Sequence, residues 1–130
     1  MLRHAAVATR RSHTRYHPAI DCHWGTENSD RITDEQRDLV RWLIDRGVDL
    51  VVGSHPHCVQ SIDFYHGRRI AYSLGNLVFD GALTVTSWNH GALLEVGLNK
   101  DAKISSTTLI PIVLEDGFPR VDATPGTATR

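Results

Sequence analysis

The chain has 130 residues, 41% of them hydrophobic and 22% charged, with a formal net charge of -1 and a pI near 6.7. That balance is not the basic footprint of a nucleic-acid or anionic-membrane binder, and no apolar run approaches the ~20 residues that cross a bilayer as a helix. One ordinary globular domain fits the length, and Cys22 and Cys58 allow at most one disulfide, too few to define a redox compartment.

The first seventeen residues, MLRHAAVATRRSHTRYH, hold four arginines and no acid. Their only apolar patch, Ala5 to Ala8, is shorter than the core of a secretory signal. The composition has some likeness to an organelle transit peptide, and residues 1–17 are expected to be a disordered or artefactual lead. From Pro18 the pattern becomes regular. HPAIDCH reads as a strand ending near His23, followed by a polar loop through Gly25, Asn28, Ser29 and Asp30. A helix is predicted from Thr33, with Gln36 completing a capping box and Asp34 and Glu35 in the first turn. Leu39, Val40, Leu43 and Ile44 form its apolar stripe, and Arg46-Gly47 close it. VDLVVG then reads as a buried strand, making a β-loop-α-β unit with parallel pairing.

Beyond it, IDFYHGRRIAYSL predicts a hairpin around His66-Gly67, with Arg68-Arg69 on a solvated hairpin edge. GALLEVGL and KISSTTLIPIVL, joined by the turn NKDA, predict two antiparallel strands ended by Asp116-Gly117 and Pro119. Residues 121–130 are expected to be a loose tail. Trp24 is expected to pack on its loop or line a cleft, and Trp42 and Trp88 to be structural.

Most of the 8 histidines need no special role, but three occupy one functional place in this topology. His23 follows the first strand, and His55 and His57, in VVGSHPHCVQ, follow the second. Sites in open α/β sheets form beyond the carboxyl ends of the strands, so the three imidazoles are expected to converge. Pro56 favours an extended His55, which would turn the i and i+2 side chains to one side, while Gly53 and Ser54 permit a tight turn and close backbone approach. Imidazole is the commonest transition-metal ligand. Three could make a zinc site with one open position, and loop histidines that merely hydrogen-bond to backbone are the alternative. Cys58, beside His57, could be pictured as a thiolate nucleophile, but core packing is the better reading.

Three ordered blocks, HWGTE at 23–27, GSHPHCVQ at 53–60 and YSLGNLVFD at 72–80, resemble the signature blocks of the bacterial CapA family. These are poly-γ-glutamate capsule synthesis proteins with a calcineurin-like metallophosphoesterase fold. The resemblance spans about residues 18–120. It implies an α/β class, the C-terminal half of an α/β/β/α sandwich, with a βαβ unit followed by antiparallel strands. By the same resemblance, His23 and His55 would hold one metal and His57 another, and Glu27 and Asn76 would line the cleft. The implied cofactors are divalent ions, Mn, Fe or Zn, two in a complete domain, suited to metal-dependent hydrolysis. The implied partners are poly-γ-glutamate or another anionic polymer and other capsule synthesis proteins, at the cell envelope.

The family's Asp-x-His, Gly-Asp and Asn-His elements do not precede His23, and Asn89-His90 comes late. Bridging carboxylates are therefore missing from these residues. The chain is expected to be a fragment, inactive alone, with exposed sheet that the missing N-terminal half or self-association would cover. The alternative is a non-catalytic remnant or binding module holding at most one metal through His23, His55 and His57.

Overall fold

A computed structural model describes residues 18–79 and 89–123. The basic lead at 1–17, Trp88 and the tail from 124 lie outside the described residues.

The first strand, β1 (Ala19–His23), alternates exposed and buried residues, sending Ile20 and Cys22 into the core. Helix α1 (Asp34–Asp45) starts as its composition requires. Thr33 Oγ1 accepts from the Gln36 amide at 3.2 Å, and Gln36 Oε1 accepts from the Thr33 amide at 2.9 Å. Val40 and Ile44 are buried on the expected stripe, and Gly47, at φ +97°, follows the cap at Arg46. The chain then enters β2 (Leu50–Ser54), which pairs in parallel with β1, as expected of a βαβ unit. Val51 is fully buried, in a cluster with Ile20, Cys22, Val40, Ile44, Val48, Ile70 and Tyr72.

Strands β3 (Ile62–Tyr65) and β4 (Arg68–Ala71) form the predicted hairpin. His66 and Gly67, both at positive φ, give it the backbone that matches strand twist. β4 pairs in parallel with β2, so the sheet order is β1-β2-β4-β3. The arginine pair is therefore interior to the sheet in order, contrary to the expected solvated edge. Arg68 forms an ion pair with the buried carboxylate of Asp49, and the Arg69 guanidinium lies 5.3 Å from the Phe64 ring centroid.

The second sheet is antiparallel, ordered β5 (His90–Leu98), β6 (Ile104–Glu115), β7 (Phe118–Val121). Regular structure was not expected past Asp116-Gly117, yet both residues take positive φ and turn the chain into β7. Pro119 is tolerated there because β7 is an edge strand. The fold is thus mixed α/β, a four-stranded mixed sheet with one helix beside a three-stranded antiparallel sheet. Residues 72–76 join the two: Leu74 donates its amide to Gly53 O at 3.1 Å and accepts from the Ala92 amide at 2.8 Å, and Gly75 bridges to Gly91. Among the described residues no helix is long and apolar enough to cross a membrane.

Candidate functional site at the carboxyl ends of two parallel strands

The parallel register of β1 and β2 places His23 opposite Ser54. Trp24 N donates to Ser54 O at 3.1 Å, so the chain leaves both strands at the same level. The His23 and His55 ring centroids are 4.5 Å apart, and those of His55 and His57 are 6.3 Å apart. The three imidazoles expected to converge are therefore neighbours.

The backbone that achieves this is not the expected extended segment. His55 has φ +102° and His57 φ +59°, and residues 55–58 bend. A β-carbon at positive φ meets its own backbone, so the two non-glycine examples flanking Pro56 represent stored strain of the kind that gathers at functional sites. Gly53 behaves as predicted. A Cβ there would collide with Tyr72 O and Trp24 Nε1 and lie 2.8 Å from the Tyr72 carbonyl carbon. The Trp24 indole N–H donates across this gap to Tyr72 O at 2.8 Å, and the two rings stack.

Two of the imidazoles have a neighbour at Nδ1. His57 Nδ1 is 2.9 Å from Asn76 Oδ1, and His23 Nδ1 is 3.5 Å from Ser54 Oγ. An amide oxygen only accepts, so the His57 contact requires the proton on Nδ1. Metal-binding histidines are commonly held in this way. Asn76 itself is buried, and the Phe79 ring packs 5.3 Å from the His57 ring centroid. Glu27 is exposed on the loop after Trp24. The next residue, Asn28, donates its amide to Pro56 O at 2.9 Å, which lays that loop against the His-Pro-His turn.

Two buried amides set this loop in place. Gln36 Nε2 donates to Gln60 Oε1 at 3.0 Å, and Gln60 Nε2 donates to the carbonyls of Ser29 and Arg31. Neither amide stands out as buried in the sequence, although Gln60 follows directly on the histidine turn. The cysteines are free. Burial, with a smaller contribution from Asp30, raises the Cys58 pKa, which suits a packed thiol and not a thiolate nucleophile.

Imidazole nitrogens have the donor chemistry of a divalent transition-metal site. Among the described residues, however, no group of three or more His, Cys, Asp or Glu side chains is gathered closely enough to hold an ion. The set His23, His55 and His57 contains no carboxylate of the kind that bridges two ions.

Residues 6–81 match the family model described as "Bacterial capsule synthesis protein PGA_cap". The chain belongs to that family. It is 36% identical over 101 residues to the capsule biosynthesis protein CapA of Bacillus anthracis, covering 78% of this chain and 24% of the relative. It is 43% identical over 100 residues to the PGA biosynthesis protein CapA of Bacillus subtilis (strain 168), covering 77% and 26%. An uncharacterized Sinorhizobium fredii protein, y4sH, is 43% identical over 92 residues, covering 70% and 19%. The chain thus spans about a quarter of the length of the CapA relatives it matches. The family match includes all three histidines and Asn76.

Proposed function

We propose that this chain carries part of the metal-dependent, hydrolase-type domain of a poly-γ-glutamate capsule synthesis protein, with His23, His55 and His57 as metal ligands. The observation that carries the reading is the grouping of three imidazoles beyond two parallel strands, with the Nδ1 of His57 held by the Asn76 amide. The mixed α/β architecture is compatible with half of a calcineurin-like metallophosphoesterase sandwich. A divalent ion, Mn, Fe or Zn, would supply Lewis acidity and an activated water there.

The chain's own residues do the arranging. Asn76 fixes the tautomer and plane of His57, and the register of β1 against β2 brings His23 to His55. Glu27, exposed on the Trp24 to Asn28 loop, is the proposed cleft-lining carboxylate. An extended anionic polymer such as poly-γ-glutamate is the proposed substrate, and other capsule synthesis proteins at the cell envelope are the proposed partners.

A second reading, a non-catalytic module holding one ion, is favoured by the all-imidazole donor set. Titration of the 130-residue chain with Zn²⁺ and Mn²⁺ by calorimetry, beside single alanine variants of the three histidines, tests both. Two tightly held ions support the hydrolase-type site, and one ion lost in His57→Ala supports the module. Metal binding unchanged in the triple alanine variant refutes both.

A further inference from the structure

We infer that Gly91, on β5 of the second sheet, is a positioning residue for His57. The inference rests on the proposed role of His57 but concerns the proton and orientation of its ring, which can be observed without metal. Gly91 is buried against the backbone of Asn76. A Cβ at this position would collide with Asn76 O, lie 2.9 Å from its carbonyl carbon and 3.3 Å from its nitrogen. These are backbone atoms and cannot swing aside as the end of a flexible side chain does.

The opposite residue repeats the constraint. Gly75 is bridged to Gly91, holds φ +67°, and would place a Cβ 2.7 Å from His90 O and 3.1 Å from Gly91 Cα. Two glycines face to face let β5 approach the 74–76 segment this closely, and the 2.8 Å bond from Ala92 N to Leu74 O secures the approach. The next residue is Asn76, whose Oδ1 meets His57 Nδ1. The second sheet therefore acts on the histidine turn through one short chain of contacts, from Gly91 to Asn76 backbone, Asn76 side chain and His57 ring. Displacing the Asn76 backbone moves the acceptor that selects the His57 tautomer.

The test is long-range ¹H–¹⁵N NMR of the imidazoles in the 130-residue chain, fused to a solubility partner. It is run without metal, well above the ordinary imidazole pKa of about 6.5. In the wild type His57 should carry its proton on Nδ1, and Gly91 Hα should show an NOE to the Asn76 amide. Gly91→Ala should shift His57 towards the Nε2–H tautomer without altering that of His23, and weaken Zn²⁺ binding roughly 10- to 100-fold. Gly97→Ala is the control on the same strand, because its Cβ would meet only the Ser106 hydroxyl end and neighbouring serine side chains.

A wild-type His57 protonated on Nε2, an absent NOE, or a folded Gly91→Ala with the wild-type tautomer would each overturn the inference. So would an equal change in Gly97→Ala. If Gly91→Ala does not fold, the two wild-type signals decide alone. If zinc reaches none of the three histidines while Gly91→Ala still moves the His57 proton, the metal reading fails and the positioning role stands.

Discussion

Asn76 Oδ1 lies 2.9 Å from His57 Nδ1, joining residues 19 positions apart. The asparagine comes from the segment between the two sheets and the histidine from the turn after β2, so the contact couples both halves of the fold to one imidazole. Removing the acceptor in Asn76→Ala frees the His57 ring. Zn²⁺ affinity should fall about 10- to 100-fold, as is usual when the orienting partner of a metal-binding histidine is lost. Calorimetry reads the change, and unaltered affinity would mean that Asn76 does not orient a ligand.

His55 at φ +102° makes an opposed pair of predictions. Glycine accepts this backbone without strain, whereas alanine keeps the strain and loses the imidazole. His55→Gly should be more stable than His55→Ala by about 1 kcal/mol, with metal binding weakened in both. Urea unfolding checks the order of the two variants; equal stability would show that the strain is absent in solution.

Gln60 ties the loop bearing Glu27 to α1 through Gln36 and through the Ser29 and Arg31 carbonyls. Gln60→Ala leaves these buried groups short of partners, which costs about 1–3 kcal/mol. The expected signs are a lower urea midpoint and faster proteolysis within residues 25–33. An unchanged cleavage rate there would separate the amide network from loop order.

Gly53 cannot accept a side chain without displacing the Trp24 indole or the Tyr72 carbonyl. Gly53→Ala should destabilise the chain by at least about 2 kcal/mol and disturb the β2 terminus from which His55 departs. Loss of Trp24 fluorescence polarity change on unfolding is confounded by Trp42 and Trp88, so thermal melting by circular dichroism is the better measurement. A melting point equal to the wild type would contradict the close approach.

The buried thiol of Cys22 predicts a pH dependence. Burial, then Asp21, raises its pKa from 9.0 to about 11. The folded state therefore favours the protonated thiol, a contribution complete below the ordinary pKa and lost as pH rises through about 9 to about 11. Urea midpoints across that range should decline less steeply for Cys22→Ala than for the wild type. Parallel slopes would remove Cys22 from the alkaline loss of stability.

Much of this was legible in the residues. The Thr33 and Gln36 spacing, the Leu39 to Ile44 stripe and the apolar run at 48–52 are local patterns, and they led to the capped helix and the parallel pair. The convergence of His23 with His55 and His57 followed from that topology. The unusual backbone of the turn did not, because Pro56 favours extension of its predecessor and the opposing packing comes from residues far along the chain. Asn76 against His57, Gln36 against Gln60 and Arg68 against Asp49 are pairings between distant segments, for which spacing carries no signal. β7 escaped because Asp116-Gly117 followed by Pro119 looks like an ending; on an edge strand the proline forfeits no hydrogen bond within the sheet.

The central claim, that His23, His55 and His57 form one metal site, is tested most directly by following their side-chain ¹⁵N signals while Zn²⁺ is added to the tagged 130-residue chain. The Nε2 signals of His55 and His57 and a ring-nitrogen signal of His23 should shift together and saturate at the same added metal, leaving His66 and His90 unmoved. Shifts confined to His66 or His90, or no shift in any of the three at millimolar zinc, would contradict the account.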